Sequence, residues 1–186
     1  MGKAELRVEA LARRRALSDG ERTTAAEAIA AHVLAQPIIN RAKRVAAYVS
    51  MATEPGTGPT IAALADHGIE VILPISLEGG GLDWVLYSPD AAYVITPLGI
   101  AEPDGRRLGA EALDAVDLAI LPALAVDHEG HRLGRGAGYY DRALAGSSAV
   151  KCVLLYAGEI VESLPYEEHD VPVDMVITPT GVFRVP

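Results

Sequence analysis

Apolar residues Leu6, Ala10, Leu11 and Leu17 recur at helical spacing, and the pattern predicts a helix over residues 3 to 17. The tetrapeptide SDGE follows. Ser18 is placed to cap a second helix, and Glu21, three residues on, to cap in return. That helix is expected to run to about Ala35, with Pro37 ending it. Beyond it the period changes. "RVAAYVSM" reads as a strand, residues 58 to 67 as a helix, and "GIEVILPI" as the next strand. "GGGLDWVLY" reads as a strand after a glycine turn. "DLAILPAL" and "KCVLLYAG" are continuous apolar runs of strand length. Between those two lies a segment rich in glycine and arginine, with a short helix opening near Tyr139. "DMVITPTG" closes the series as a strand.

Strands alternating with helical stretches imply an α/β fold, with an open, mostly parallel sheet flanked by helices and preceded by an N-terminal helical pair. The runs "LAIL" and "CVLL" lack an in–out alternation, as strands covered on both faces do. Ligands of such sheets bind at the carboxyl ends of the strands. Three segments fall there: SMATEPGT after the first strand, the glycine–arginine segment after "LAILPAL", and EEHD beyond "CVLLYAG". No internal repeat or low-complexity stretch interrupts the series.

The chain has 186 residues, half of them hydrophobic, which suits one domain over residues 1–186 with a substantial core. Its formal charge of −9 argues against a nucleic-acid partner, since non-specific binding there runs on phosphate neutralisation. The single cysteine, Cys152, excludes an intramolecular disulfide and reads as a small core residue of an apolar strand. "MGKAELRVEALARRRAL" is too charged and too acidic for a secretory signal. No apolar run approaches the ~18 residues of a membrane span. The expectation is a cytoplasmic protein with no membrane association.

One stretch resists a bland reading. "HRLGRGAGYYDRAL", residues 131–144, holds three glycines, three arginines, two adjacent tyrosines and an aspartate. Glycines 134, 136 and 138 permit positive φ and close approach of a ligand to the backbone. Amides in such a loop can form an anion-binding nest, the following helix adds a positive dipole end, and Arg132 and Arg135 add forked donors suited to phosphate. The combination favours a polyphosphate. It is not a Walker A loop, because no Gly-Lys-Ser/Thr ending appears, and its G-x-G-x-G spacing after a long loop is not the dinucleotide fingerprint. On these residues alone, a glycine-rich turn whose arginines pair with surface carboxylates stays open as the alternative.

"RLGRGAGYYDR" resembles the phosphate-binding loop of the 5-formyltetrahydrofolate cyclo-ligase (methenyltetrahydrofolate synthetase) family. "KAELR" at Lys3 to Arg7 is similar to that family's N-terminal K-x-x-L-R. "YVSMATEPGT" resembles its folate-contacting strand and turn, with Glu54 and Thr57 in place. "PLGIAEP", "LPALAVDHEGHRLGRG" and "HDVPVDMVIT" resemble further segments in family order, so the likeness runs from residue 3 to about 178. One position departs: Ala137 stands where family members often carry glycine or lysine, which leaves Arg132 and Arg135 to serve the nucleotide.

The resemblance implies a Rossmann-like three-layer sandwich. It also implies an ATP- and Mg2+-dependent conversion of 5-formyltetrahydrofolate to 5,10-methenyltetrahydrofolate, with release of ADP and phosphate. The formyl oxygen is phosphorylated and N10 closes the ring. Arg132, Arg135 and Glu54 are implied as catalytic. ATP would be held by Lys3, Arg7 and the loop from Arg132 through Leu133, Gly134, Arg135, Gly136, Ala137 and Gly138 to Tyr139 and Tyr140. The folate would be held by Glu54, whose carboxylate can accept a pair of pterin N–H groups, with Val49, Met51, Tyr139 and Glu102. Asp141 and Asp170 are implied as the magnesium positions, and the enzyme is expected to act as a monomer.

Lys3 and Arg7, four apart, share a helix face, whereas Arg13, Arg14 and Arg15 read as a solvated basic face. Trp84 reads as core or pocket wall. His128 and His131 form an H-x-x-H on a turn rather than a helix, which argues against a transition metal. Two other readings compete. A different nucleotide-dependent ligase or kinase would share the loop but not need Glu54, and a non-catalytic folate binder would have no use for Lys3, Arg7 and Asp141.

Overall fold

A computed structural model describes residues 2–97, 99–167 and 170–186. Leu98 of PLGIAEP and Glu168 and His169 of EEHD lie outside the described residues. The N-terminal helical pair forms as expected. Helix α1 spans Lys3–Arg15, ending two residues early because the Leu17 amide closes a tight turn onto the Arg14 carbonyl. Helix α2 spans Asp19–Leu34 behind the predicted capping box. The Ser18 hydroxyl accepts from the Glu21 amide, and the Glu21 carboxylate accepts from the Ser18 amide.

Strand β1 is only Arg44–Ala46, shorter than its apolar run. Beyond Ala47 the backbone turns to Thr57 instead of a neighbouring strand. The Thr57 hydroxyl donates to the Tyr48 carbonyl (2.6 Å) and accepts from the Ser50 amide (3.1 Å). Helix α3 (Gly58–Asp66) starts there, then β2 (Glu70–Ser76) and β3 (Leu82–Leu86). A hairpin absent from the sequence reading follows, β4 (Tyr93–Ile95) and β5 (Ala101–Pro103), and then a 3-10 turn at Ala110–Ala115. The run "DLAILPAL" forms β6 (Leu118–Pro122), and β7 (Ala125–Asp127) begins just past its end. Then come β8 (Arg132–Leu133), helix α4 (Tyr139–Leu144), β9 (Val150–Leu154), β10 (Ile160–Val161), β11 (Met175–Thr178) and β12 (Gly181–Arg184).

The main sheet has seven strands in the order β12-β11-β9-β6-β1-β2-β3. Its five central strands are parallel, and both edges, β3 and β12, are antiparallel. "LAIL" is covered on both faces. Leu118 and Ile120 join Ile29, Val33 and Leu64 of α2 and α3 in one apolar cluster. Ala119 and Leu121 join Leu113, Leu144 and Trp84 in the other. This is the three-layer arrangement, and each fully buried leucine or isoleucine contributes about 1.5–3 kcal/mol. Trp84 is core, and Cys152 is fully buried, its thiol pushed well above its ordinary pKa by desolvation. Among the described residues, no helix is long and apolar enough to cross a membrane.

Helix α1 packs elsewhere. Ala10 and its neighbours Leu6 and Leu11 lie against Leu124, Ala125, Leu133 and Leu164, over the small sheet β10-β7-β8. Arg14 corrects the expectation of a solvated basic face. It is only 1% exposed, and its guanidinium donates to both Glu159 carboxylate oxygens (2.7 Å each) and to the Ala123 carbonyl (2.7 Å). Burial disfavours that charge, but the paired carboxylate outweighs it and raises the pKa further. Lys3, Arg7, Ala10 and Arg14 form one helical stripe, so the face that buries Ala10 carries Arg14 inward too.

Candidate functional site

A cavity of about 480 Å³ opens where the carboxyl ends of β1, β2 and β6 meet the start of α1. Every residue that the sequence singled out for ATP, folate or metal lines it, from Lys3 and Arg7 to Asp141 and Asp170. The three segments expected at strand ends therefore converge, with Glu167 and Asp170 as the described part of EEHD.

The first wall is the turn after β1. The Glu54 amide bonds back to the Met51 carbonyl (2.9 Å), and the Glu54 side chain bonds to the Met51 amide (Oε2, 2.8 Å). Pro55, buried behind it, keeps Glu54 out of the helical region and so preserves the turn. Val49 and Met51 are half-buried beside it. The second Glu54 oxygen, Oε1, accepts from Arg135 Nε at 3.0 Å. Beneath, the Tyr48 hydroxyl is buried and has no hydrogen-bond partner among the described residues. Burial, and then the nearby Glu54 charge, push the Tyr48 phenol well above its ordinary pKa, so it stays protonated.

The second wall is the glycine–arginine loop. Gly136 (φ 102°) and Gly138 (φ 68°) take the left-handed conformations that glycine permits, while Gly134 does not. Gly138 is the N-cap of α4, a helix of only six residues. Arg132 is ion-paired with Asp141 and lies 5.9 Å from the centre of the Tyr140 ring. Burial, followed by the Glu54 charge, pushes the Tyr140 phenol far above its ordinary pKa, the Arg132 charge offsetting only part. Arg142 donates to the Gly80 and Ala137 carbonyls and stacks on Tyr139 (5.6 Å), tying the loop to the turn between β2 and β3. Ala137 thus lines the cavity through a backbone already held in place.

Helix α1 closes the third side. Arg7 Nε donates to the Gly134 carbonyl (2.9 Å). Lys3 Nζ bonds to Asp170 (3.0 Å) and Glu167 (3.1 Å). Burial works against the Lys3 ammonium, but those bonds outweigh it and raise its pKa. The apolar remainder includes Pro74, Leu82 and Ile100, with Glu102 accepting from the Ser76 amide (2.8 Å). Pro74 and Ser76 were not singled out, although their place at the carboxyl end of β2 is the signal that would have found them.

His128 packs edge-on against Phe183. His131 bonds to Asp127 (Nδ1–Oδ2, 3.0 Å) and stacks on Tyr166 at 4.0 Å. Neither lines the cavity. Among the described residues, no group of three His, Cys, Asp or Glu side chains is arranged to hold a metal.

A sequence model of the 5-formyltetrahydrofolate cyclo-ligase family matches residues 1–179. The chain is 35% identical to the 5-formyltetrahydrofolate cyclo-ligase of Mycolicibacterium smegmatis, covering 95% of this chain and 93% of that protein. It is 34% identical to the Escherichia coli protein of the same name, covering 92% and 97%. Its fold is similar to that of the Aquifex aeolicus 5,10-methenyltetrahydrofolate synthetase solved by NMR. There the TM-score is 0.84 and the identity 34%, covering 100% of this chain and 93% of that one.

Proposed function

This chain belongs to the 5-formyltetrahydrofolate cyclo-ligase family, and from that premise we propose that it joins ATP and 5-formyltetrahydrofolate in the cavity at the carboxyl ends of β1, β2 and β6. The products are 5,10-methenyltetrahydrofolate, ADP and phosphate. The observation that carries this reading is the contact between Arg135 and Glu54 at 3.0 Å. It brings the loop suited to phosphate and the turn suited to a pterin within one hydrogen bond of each other, the separation that transfer between the two ligands requires.

The formyl oxygen attacks the γ-phosphorus and ADP leaves. The folate N10 then attacks the activated carbon and gives up its proton, and phosphate departs with the former formyl oxygen. Arg135 and Arg132 supply forked donors where the transferring charge develops. Both are already paired with carboxylates, so a triphosphate exchanges partners with them rather than meeting bare cations. Glu54 keeps the Met51 amide when Arg135 moves to phosphate, and its Oε1 turns to the pterin N–H groups. Lys3 and Arg7 bring further donors from α1, and Tyr139 and Tyr140 wall the site.

Magnesium fits the donor set. Asp141 and Asp170 both line the cavity and offer only oxygen. With no third protein ligand grouped there among the described residues, a cation would take its remaining ligands from phosphate and water, the habit of Mg2+. When bound it would neutralise phosphate charge.

Oxygen-18 in the formyl group tests the reaction. One labelled oxygen per phosphate, with stoichiometric ADP, is expected by mass spectrometry. Unlabelled phosphate would mean that water hydrolyses ATP beside the folate, and labelled AMP would mean that the adenylyl group is transferred.

A further inference from the structure

Glu54 is held from outside the cavity as well as within it. Its backbone carbonyl accepts a hydrogen bond from the Tyr156 hydroxyl at 3.0 Å. Tyr156 is buried just past the end of β9 and does not line the cavity. It is fixed in turn. Its amide donates to Glu159 Oε2 (2.9 Å), and the Arg14 guanidinium lies 5.6 Å from its ring centre. Arg14 binds both Glu159 oxygens and the carbonyl of Ala123, which does line the cavity. Arg14, Glu159 and Tyr156 thus form a buried frame that joins α1, the wall at Ala123 and the Glu54 turn.

We infer that Tyr156 is a positioning residue for the folate, acting through Glu54, with Arg14 and Glu159 holding it in place. The Glu54 carboxylate can meet two donors side by side only if its backbone is fixed. Inside the cavity that backbone has one short turn bond, Glu54 amide to Met51 carbonyl. The Tyr156 hydroxyl supplies the second anchor, on the carbonyl side, where Pro55 offers no amide of its own. Among the described residues, the frame's direct bond to a group read as ligand-binding is the one from the Tyr156 hydroxyl to Glu54, so its effect falls on folate first. The inference rests on the reading of Glu54 as the pterin-binding group.

Tyr156→Phe removes one hydroxyl from a buried site and keeps the ring against Arg14. The folate KM should rise about threefold to tenfold, the loss of one hydrogen bond. The KM for ATP should stay within twofold, and the thermal midpoint should fall by no more than a few degrees. A purely structural tyrosine would lower the midpoint and leave both KM values alone, which overturns the inference. Equal rises in both KM values would do the same, because they report general loosening. Glu54→Gln separates the two levels. If it raises the folate KM and Tyr156→Phe does not, positioning fails while the reading of Glu54 stands. If Glu54→Gln leaves the folate KM unchanged, that reading fails and takes this inference with it. In the double variant, Tyr156→Phe should add little to Glu54→Gln, since both act on one contact.

Discussion

Arg14–Glu159 and Arg135–Glu54 are built from the same two groups, at 2.7 and 3.0 Å. In the first, the side chains are 1% and 5% exposed, and the arginine grips both carboxylate oxygens and a carbonyl. In the second, the carboxylate is just as buried, at 6%, but the arginine is 39% exposed and makes one contact to one oxygen. A fully desolvated pair cannot open without stranding a charge, so the first is architecture. In the second only the arginine is half-solvated, and Glu54 keeps the Met51 amide bond when that arginine leaves, so under the proposed function this pair can hand its arginine to a phosphate and its carboxylate to a pterin. The same chemistry therefore fixes one end of the site and leaves the other end exchangeable, and between these two pairs the solvation of the arginine separates the roles.

The comparison is broken most severely at Arg14. Arg14→Met strands the Glu159 carboxylate in the interior and should cost about 3–5 kcal/mol of folding stability by urea denaturation. Adding Glu159→Gln should return part of it. Arg135→Met should behave in the opposite way. Stability should fall by about 1–3 kcal/mol, less than in Arg14→Met because Glu54 keeps its Met51 amide bond, while turnover of 5-formyltetrahydrofolate falls on the order of 100-fold. If Arg135→Met unfolds the protein or leaves turnover intact, the two pairs are not the contrast described here.

A milder perturbation sharpens the exchangeable side. Gly136 holds φ at 102°, and a Cβ built there lies 3.4 Å from the Arg7 guanidinium, an ordinary contact. Gly136→Val therefore acts through backbone strain of about 1–3 kcal/mol rather than a collision. ATP affinity by calorimetry should fall about tenfold in a folded protein.

The smallest effect concerns a third carboxylate, Asp127. Burial raises its pKa, but hydrogen bonds from the His131 ring and from the His131 and Leu164 amides outweigh it, and the folded value lies below the usual 3.8. Its contribution is complete above the unfolded value and is lost as pH falls through the lower folded one. Asp127→Asn should flatten the decline of the melting temperature in that acid window and leave neutral pH behaviour of turnover nearly unchanged.

What could be read from the chain follows the range of the interactions. The Ser18–Glu21 cap is a three-residue event and was visible. The strands with both faces covered were visible because continuous apolar runs have few other uses. Strand β1 was overlong because the hydroxyl that takes over from the sheet, on Thr57, lies nine residues past Tyr48. The β4–β5 hairpin was missed because Val94 and Ile95 face outward, 59% and 66% exposed, so their pattern carries no buried face. Arg14 was indistinguishable from Arg13 and Arg15 until Glu159, 145 residues away, was placed beside it. The residues that line the cavity were legible through family likeness and strand-end logic, whereas Tyr156, which meets the Glu54 turn through a carbonyl, left no mark that local chemistry could read.

The docking of α1 has a kinetic consequence. Its three polar anchors span sequence separations of 127, 145 and 167 residues, to Gly134, Glu159 and Asp170. Contacts that distant come late, because the intervening chain must be organised before they reward closure. Alone, a helix of 13 residues is marginal in water. Helix α1 is therefore among the last elements to settle, and until then the chain can stack its central strands with the cavity still unroofed. The cavity is therefore completed by the final docking step instead of being built up gradually.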